Sequence, residues 1–258
     1  MATEKLKIDS RRNKIIEILS RDGEVRVSQL SKELGTTMVT IRSDLDALEK
    51  VGYLERFQGG AVQTTVNYYN LEFLRKKKDN SEAKKKIASA VSEFIHDGDT
   101  ILINSGTTTY FTAIELKKHK SLNIVTNSLT VATELGSTPS LKVILLGGEI
   151  NSQDSFTYGN DVLEQLKRYK ANYAILSIDG VCLEGGVTTL HAEEAMVERM
   201  MIERAKETVI VADSRKLGKE GFVYVCDLKD VSKLVTERGA HPGVIKQMRD
   251  AGIQVILG

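Results

Sequence analysis

The sequence is poor in the residues that mark special architectures. It has no Trp, two Pro and two Cys among 258 residues. Cys182 and Cys226 lie far apart without Cys-x-x-Cys spacing, so we expect reduced, partly buried thiols rather than a disulfide or half of a metal site. The four His are equally scattered, and none has a partner at metal-ligand spacing. The sequence therefore predicts neither a metal nor a cofactor.

Long apolar runs are absent too. No stretch approaches the roughly 20 apolar residues that a membrane helix needs, and the N-terminus has no apolar core of the kind found in secretory signals. We therefore expect a cytoplasmic protein without membrane contact. With 258 residues, 41% of them hydrophobic, the chain can build two domains with their own cores.

The charge is nearly balanced overall but unevenly distributed. Residues 1–90 hold 18 Lys and Arg against 13 Asp and Glu, and the remainder holds 18 against 22. A basic N-terminal part favours a nucleic-acid partner there. Residues 75–78 and 84–86 supply much of the excess. Two interpretations of these runs stay open: a solvated linker with an exposed helix face, or a surface that adds phosphate contacts.

Three short helical patterns occupy the first 50 residues. The first covers Ser10–Ser20, with Ser10 as its cap, and the second begins with Ser28 as its N-cap and ends at Gly35. The third begins near Thr37. Two short helices joined by a tight turn that contains Gly, the second of them with a polar outer face, predict a helix-turn-helix.

The third helix has two distinct faces. Ile41, Leu45 and Leu48 recur at i, i+4 and i+7, which predicts a stripe packed against other helices. The outward face carries short hydroxyls, one apolar side chain and one cation, a set that suits a groove of DNA. The predicted DNA-contacting residues of this segment are Thr36, Thr37, Val39, Thr40, Arg42 and Ser43.

A hairpin follows the third helix. Residues 53–57 alternate with period 2, and Gly59-Gly60 turns the chain into Ala61-Val62. One amphipathic helix alone fits a plain helical bundle as well as a DNA reader. Three helices followed by a hairpin predict a winged helix-turn-helix over residues 1–63, with Arg56 of the wing reaching a phosphate or the minor groove.

Residues 64–80 lack a clear pattern and are interpreted as a linker. Residues 81–258 then read as a larger α/β domain, which begins with a helix from Ser81, its cap, to His96. Strands alternating with helices predict a mostly parallel sheet with helices on both faces, a three-layer architecture. The predicted strands are Thr100–Ile103, Asn123–Thr126, Lys142–Leu146, Tyr173–Ile178, Glu207–Ala212, Phe222–Cys226, Lys233–Val235 and Gln254–Leu257.

Several loops at the predicted strand ends share one chemistry. Ser105-Gly106-Thr107-Thr108 offers backbone N–H groups and hydroxyls at a helix start, which favours a phosphate. Asn127-Ser128 is a second polar turn, Asp179-Gly180 can accept from sugar hydroxyls, and Lys216 can neutralise a phosphate. Each motif alone also fits an ordinary capped helix, a turn or a solvated Lys. Their convergence at strand ends predicts a site for a small, anionic, hydroxylated ligand.

These motifs together resemble a known family. The run from Arg12 to Gly60, with V-T-I-R-S-D-L-x-x-L-E-x-x-G-Y-L-x-R and G-G-A, is similar to the N-terminal domain of DeoR-type bacterial transcriptional regulators. S-G-T-T-T, V-T-N-S-L, L-L-G-G, the Asp-Gly pair and A-D-S-x-K-x-G extend the resemblance to the sensor domain, which is similar in fold to ribose-5-phosphate isomerase. One departure is Ser43, where the family usually has a second basic residue, and it bears on operator preference.

The resemblance implies a function. It implies a regulator, most often a repressor, that binds a double-stranded DNA operator as a homo-oligomer, is nucleoid-associated when bound, and responds to a phosphorylated sugar or related metabolite. The implied effector-binding residues are Ser105, Gly106, Thr107, Thr108, Asn127, Ser128, Asp179, Gly180 and Lys216.

The alternative is a sugar-phosphate isomerase or deaminase with an appended DNA-binding domain. The related isomerases place an Asp-Glu pair shortly after the aspartate loop, whereas here the chain runs into Val181-Cys182, so that base is missing. Glu184 is a possible substitute. Glu193 and Glu194 open a helix and are interpreted as complements to its dipole. Met196, Met200 and Met201 behind them are interpreted as core or oligomer contacts. We expect no enzymatic activity.

Overall fold

The computed structural model describes residues 2–50, 53–63 and 71–258. The chain divides into two compact units, Met1–Leu71 and Glu72–Gly258. The N-terminal unit contains helices α1 (Ala2–Asp22), α2 (Val27–Glu33) and α3 (Met38–Lys50) and strands β1 (Glu24–Arg26), β2 (Leu54–Phe57) and β3 (Gly60–Gln63). The strands form an antiparallel sheet in the order β1-β3-β2. This is the predicted winged helix-turn-helix.

The core of the N-terminal unit confirms the predicted stripe. Ile41, Leu45 and Leu48 of α3 are buried in one cluster with Ile15 of α1 and Leu30 of α2. A charged contact lies beside this core, because Asp44 of α3 is only 2% exposed. Its two oxygens accept from Arg11 Nε at 2.5 Å and from Arg12 Nε at 2.9 Å. The pair of guanidinium groups therefore fastens α1 to α3, the recognition helix of the predicted helix-turn-helix.

Two predicted caps are wrong. Ser10 lies inside α1, which begins at Ala2 because residues 2–9 are mostly good helix formers. Ser28 lies inside α2, whose N-cap is Arg26. The reason is a strand that the sequence reading did not predict. β1 pairs with β3 through Val25, and Val27 N then donates to Gly59 O at 2.9 Å, so the wing holds the first turn of α2 in place.

The C-terminal unit is larger and mixed. Its helices are α4 (Leu71–Lys78, which includes the last residue of the N-terminal unit), α5 (Ser81–Ser92), α6 (Thr107–Leu116), α7 (Leu129–Gly136), α8 (Asn160–Leu166), α9 (Ala192–Arg204) and α10 (Pro242–Asp250), with 3-10 turns at Ser214–Lys216 and Leu228–Asp230. Its strands are β4 (Thr100–Ile103), β5 (Leu122–Thr126), β6 (Leu141–Leu145), β7 (Glu149–Asn151), β8 (Phe156–Tyr158), β9 (Ala171–Ser177), β10 (Gly180–Cys182), β11 (Gly186–Thr189), β12 (Ala205–Val211), β13 (Val223–Cys226), β14 (Lys233–Thr236) and β15 (Gln254–Leu257).

A seven-stranded sheet in the order β15-β14-β12-β9-β4-β5-β6 is the centre of this unit, and all its pairings are parallel. Successive side chains alternate between its faces. Ile101 and Ile103 pack with α5, α6 and α7, whereas Leu102 packs with α8, α9 and α10. The predicted three-layer α/β architecture is confirmed.

Some predicted boundaries in this unit are wrong. The strand expected at Phe222–Cys226 is β13, which lies outside the parallel sheet and pairs antiparallel with β11. Asn80, with a φ of 53°, caps α5 in place of Ser81. α5 ends at Ser92 rather than His96, whose N–H donates to Asp99 Oδ2 at 2.8 Å. In the segment expected to be a linker, residues 71–78 form α4, and residues 64–70 lie outside the described part of the chain.

The strand order reverses once. From β4 the chain proceeds outward to β5 and β6, and it then returns to the other side of β4 for β9, β12, β14 and β15. The loops that follow β4 and β9 therefore diverge to opposite faces and leave a crevice at the carboxyl ends of the strands. None of the described helices has both the length and the apolarity that crossing a membrane would require.

Candidate functional site

A cavity of about 390 Å³ opens at this crevice. Its walls come from the loops after β4, β9 and β12, from α4 and from the first turn of α9. The lining residues are Phe73, Lys76, Asp79, Lys84, Ser105, Gly106, Thr107, Thr108, Asp154, Ser177, Ile178, Asp179, Leu190, His191, Glu194, Val211, Ala212, Asp213, Arg215, Lys216 and Lys219.

The first turn of α6 forms one wall. Gly106 is the N-cap, no side chain caps the helix there, and Thr107 and Thr108 line the cavity. The N–H groups of a first helical turn have no partner within the helix, and they attract anions together with the helix dipole. Gly106 is required by space, because a Cβ there would lie 2.5 Å from Ser177 Cβ of β9. The predicted phosphate loop is therefore part of the cavity.

Lys216 and Asp179 meet across the cavity, as their positions at neighbouring strand ends suggested. Lys216 Nζ lies 2.6 Å from Asp179 Oδ1. The second oxygen, Asp179 Oδ2, accepts from Thr189 Oγ1 and from Leu190 N, each at 3.2 Å. Asp179 is thus a well-satisfied carboxylate. The carboxylate of Asp179 holds Lys216 over the cavity, and an incoming phosphate would compete with this carboxylate for the ammonium group of Lys216.

A second ion-pair group borders the same wall. Arg215 donates from Nε and Nη2 to buried Asp213 at 2.9 and 3.0 Å, and from Nη1 to Asp79 Oδ2 at 2.7 Å. Although burial acts the other way, the hydrogen bonds and charge of Arg215 hold the pKa of Asp213 below its ordinary value. Buried Lys84 donates to the backbone carbonyls of Asp79, at 2.8 Å, and of Lys76. These bonds tie the C-terminal end of α4 to the cavity.

Asp154 organises a third group, which the sequence reading missed. Its Oδ1 lies 2.9 Å from Lys76 Nζ of α4, and its Oδ2 lies 3.3 Å from His191 Nε2. Its backbone carbonyl accepts from Ser105 Oγ at 3.0 Å. Asp154 sits just before β8, in a hairpin whose position next to the cavity no sequence motif indicates.

Two carboxyl groups of α9 were also missed. Glu194 lines the cavity and its Oε2 lies 3.0 Å from Thr189 Oγ1. Burial, together with the charge of Asp179, raises the pKa of Glu194 to about 8. One turn further, fully buried Glu198 accepts from Asn104 Nδ2 at 2.6 Å, and burial likewise raises the pKa of Glu198. Interpreting Glu194 as a dipole complement therefore overlooked its place in the cavity.

Three of the predicted effector residues do not line the cavity. Asn127 Nδ2 donates to Thr157 O at 3.0 Å, and Ser128 Oγ caps α7 by accepting from Val131 N at 3.3 Å. Both follow β5, where the β7-β8 hairpin pairs with their loop. Gly180 begins β10, and a Cβ there would lie 2.5 Å from Lys219 O, so its absent side chain allows a close backbone approach. Asn127 Oδ1 is buried and has no hydrogen-bond partner among the described residues. The contact of these three residues with an effector stays a prediction.

The described surface of α3 presents the predicted DNA-reading face. Val39 is 72% exposed, and Arg42 and Ser43 are exposed beside it. Thr36 and Thr40 are half-buried. Thr37 is exposed, but its Oγ1 accepts from Thr40 N at 3.1 Å, which makes Thr37 the cap of the recognition helix. Met38, which the sequence reading did not select, is half exposed on the same turn.

Arg56 of the wing has partners inside its own unit. Its Nε donates to Gly60 O at 3.2 Å, its Nη1 donates to Arg42 O at 3.3 Å, and the same nitrogen forms an ion pair with Asp46. The guanidinium therefore bridges β2 and α3 and fixes the wing against the recognition helix. Its contact with DNA stays a prediction.

Comparison with known proteins finds a family match for each of the two units. The model of the DeoR-like helix-turn-helix domain matches residues 11–66, and that of the DeoR C terminal sensor domain matches residues 79–238. The chain belongs to the DeoR family. This DeoR-family protein is accordingly a DNA-binding transcriptional regulator in which a helix-turn-helix is joined to a sensor domain.

Its relatives match it over nearly their full length. The uncharacterized HTH-type transcriptional regulator YulB of Bacillus subtilis is 32% identical over 96% of both chains. The putative aga operon transcriptional repressor of Escherichia coli is 32% identical over 96% of this chain and 93% of its own. The glycerol-3-phosphate regulon repressor of Escherichia coli is 30% identical over 98% of this chain and 100% of its own.

Solved structures give more distant matches. Ribose 5-phosphate isomerase A from Methanocaldococcus jannaschii aligns with a TM-score of 0.41 and 16% identity over 54% of this chain and 55% of that chain. The isomerase of Plasmodium falciparum aligns with a TM-score of 0.39 and 16% identity over 52% and 51%.

Proposed function

We propose that this DeoR-family protein is a repressor of a carbohydrate-utilisation operon, whose affinity for its operator is controlled by a phosphorylated sugar or related metabolite. The observation that carries the proposal is the cavity, where the open first turn of α6 and Lys216 face one space. Two relatives, a putative repressor of an aga operon and the repressor of a glycerol-3-phosphate regulon, support the same class of regulated genes.

A phosphate group fits the α6 end of the cavity. The N–H groups near Thr107 and Thr108 supply donors, and Lys216 supplies a charge-assisted contact. Lys219 and Lys84 add positive charge to the lining. A sugar phosphate is small enough for about 390 Å³, a volume at the low end of the range for ligand sites.

The contacts of α4 suggest how occupancy is transmitted. Lys76 of α4 is paired with Asp154, and Asp79 just beyond α4 is paired with Arg215. α4 follows residues 64–70, which connect it to the winged helix in the chain. A phosphate that attracts Arg215 would compete with Asp79 for it and so weaken the anchoring of α4. Regulation requires such a difference in ligand affinity between two arrangements of the chain.

On the DNA side, we propose that α3 enters the major groove. Val39, Thr40 and Ser43 would face base edges, and Arg42 would contact a phosphate. A repeated or palindromic operator calls for a homo-oligomer, and the C-terminal unit offers exposed apolar side chains for one. They include Phe222, which is 89% exposed, and Met196 of α9. Oligomerisation, cytoplasmic location and association with the nucleoid are part of this proposal.

The enzyme alternative is not favoured. Glu184, its candidate base, is exposed and does not line the cavity. The relatives that match the whole chain are transcriptional regulators. A turnover assay with sugar phosphates addresses this alternative directly: product formed by the wild type and lost in Asp179→Ala would contradict a purely sensory role.

A thermal-shift screen tests the sensor proposal. A ligand that binds only the folded chain stabilises it and so raises the melting temperature of the protein. At a ligand concentration of one hundred times the Kd, the stabilisation is about 2.7 kcal/mol. We expect at least one phosphorylated sugar to stabilise the full chain, and its unphosphorylated form to have no effect. Lys216→Ala should lose the response, whereas Lys206→Ala, which removes an exposed charge from β12, should keep it. Equal responses to phosphorylated and unphosphorylated sugars would contradict the proposal.

A further inference from the structure

The side of the cavity formed by α9 and the hairpin before β8 has a chemistry of its own. Glu194, Asp154 and His191 line it, and none of them was among the residues predicted to bind the effector. Its carboxyl groups would repel a phosphate, so this wall must face another part of a ligand. The question is which chemical group it accepts.

The hydrogen bonds around Thr189 bear on the protonation state of the Glu194 carboxyl group. Thr189 Oγ1 lies 3.2 Å from Asp179 Oδ2 and 3.0 Å from Glu194 Oε2, but a hydroxyl has one proton to donate. Asp179 is already paired with Lys216 at 2.6 Å and accepts from Leu190 N at 3.2 Å. If both contacts are hydrogen bonds, one of the two carboxyl groups must donate to Thr189, and we assign that proton to Glu194, because Asp179 already has Lys216 and the N–H of Leu190.

A protonated Glu194 agrees with its surroundings. Burial and the neighbouring Asp179 raise its pKa to about 8, and Asp154 adds to the repulsion. Glu198, on the next turn of α9, is fully buried and its Oε2 has no hydrogen-bond partner among the described residues. Its Oε1 accepts from the amide of Asn104, and the charge of Glu194 is one of the causes that raise the pKa of Glu198.

With Oε2 donating to Thr189, Oε1 of Glu194 is left as a neutral acceptor. An acceptor at the cavity wall binds a hydroxyl or N–H donor and repels a carboxylate or phosphate oxygen. Asp154, which is paired with Lys76 at 2.9 Å, places a second carboxyl group on this wall. A second anionic group on the ligand would meet these two carboxyl groups, whereas a hydroxyl would donate to them.

We propose that Glu194 binds a hydroxyl at the uncharged end of the effector, and that it selects monophosphorylated sugars or polyols over analogues with a second anionic group at that end. This inference rests on the proposed sensor function. It adds the chemical class of the group at the end of the effector that carries no phosphate, and it names the residue that binds this group.

The test uses matched pairs of ligands that differ at the end distant from one phosphate. Suitable pairs are glucose 6-phosphate with 6-phosphogluconate, fructose 6-phosphate with fructose 1,6-bisphosphate, and glycerol 3-phosphate with 3-phosphoglycerate. In the pair that binds, calorimetric affinities for the full wild-type chain should favour the ligand without the second anionic group by at least about tenfold. This is the effect expected when a half-buried acceptor meets an acceptor on the ligand instead of a donor.

Three variants test whether Glu194 is responsible for the preference between the two ligands of a pair. Glu194→Ala should weaken the neutral ligand about tenfold and reduce the preference over the acidic partner. Glu194→Gln has a carbonyl and an N–H in place of the protonated carboxyl, and it should recover most of that loss. Glu193→Ala, which removes the exposed neighbour on the same turn, should behave as the wild type. Circular dichroism of each variant checks that it folds.

The outcomes separate the two proposals. If no phosphorylated ligand binds the wild type, both the sensor function and the role of Glu194 are overturned. If sugar phosphates bind but the acidic partners bind equally well, or if Glu194→Ala keeps the full preference, the sensor function stands and the selection by Glu194 is wrong.

Discussion

Glu194 gives a prediction about stability that needs no ligand. Burial raises its pKa from 4.5 to about 8, so between these values the folded chain binds a proton that the unfolded chain has lost. Because the folded state then binds more protons, the free energy of unfolding falls as the pH rises through this window, by up to about 1.4 kcal/mol per pH unit. Above pH 8 both states are ionised and the dependence ends.

Glu194→Gln removes the titrating group and keeps the size and hydrogen-bonding capacity of the side chain. The variant should therefore gain stability relative to the wild type between pH 5 and 8, by about 2–4 kcal/mol once relaxation of the site is allowed for. The neighbouring Glu198 is present in both proteins, and because the charge of Glu194 is one cause of its raised pKa, the difference includes the coupling of the two groups.

The assay is urea unfolding of both proteins at four pH values, followed by circular dichroism and by hydrogen exchange of β9 amides, which report the opening of the C-terminal unit. Glu193→Gln serves as the control at an exposed site of the same helix turn. A wild-type-minus-variant difference that stays constant within about 0.5 kcal/mol across this range would refute the assignment of a protonated Glu194.

Three further predictions concern the winged helix. Arg42→Ala should weaken operator binding and lower the slope of log K against log salt by about one, since one phosphate contact is lost; anisotropy titrations measure both, with exposed Arg238→Ala of the sensor unit as the charge-matched control. Arg56→Ala should weaken binding with an unchanged slope, because its guanidinium holds the wing to Asp46; a slope lowered by about one would instead establish the phosphate contact expected from sequence. Asp44→Ala should cost about 2 kcal/mol, because it leaves Arg11 and Arg12 without their shared carboxylate; a melting temperature equal to that of the wild type would contradict this.

The periodic parts of the fold were predictable from the sequence. Isoleucine and valine runs identified the strands of the parallel sheet, and the spacing of Ile41, Leu45 and Leu48 identified the packed face of α3. Periodicity does not say which sheet a strand joins. β13 alternates like a strand of the large sheet, yet it pairs with β11, because that choice depends on contacts far away in the chain.

The cavity lining was predictable from the sequence where a lining residue directly follows a strand. The Gly106 turn and Lys216 line the cavity because each directly follows a strand next to the point where the strand order reverses. Asn127 follows a strand too, but a hairpin covers its loop. Glu194 and Asp154 enter the cavity through the placement of α9 and of that hairpin, and local sequence carries no signal for either placement.

The central claim is that occupancy of the cavity controls DNA binding, and one titration tests it most directly. The full chain is titrated against a labelled DNA fragment that it selects from a genomic library, with and without the sugar phosphate that stabilises it most. We predict that the ligand changes the Kd for DNA at least about tenfold, as a coupling free energy of about 1.4 kcal/mol would. Lys216→Ala should bind the fragment as tightly as the ligand-free wild type and show no change on adding the sugar phosphate. An unchanged Kd for the wild type, or a full response in Lys216→Ala, would contradict the account.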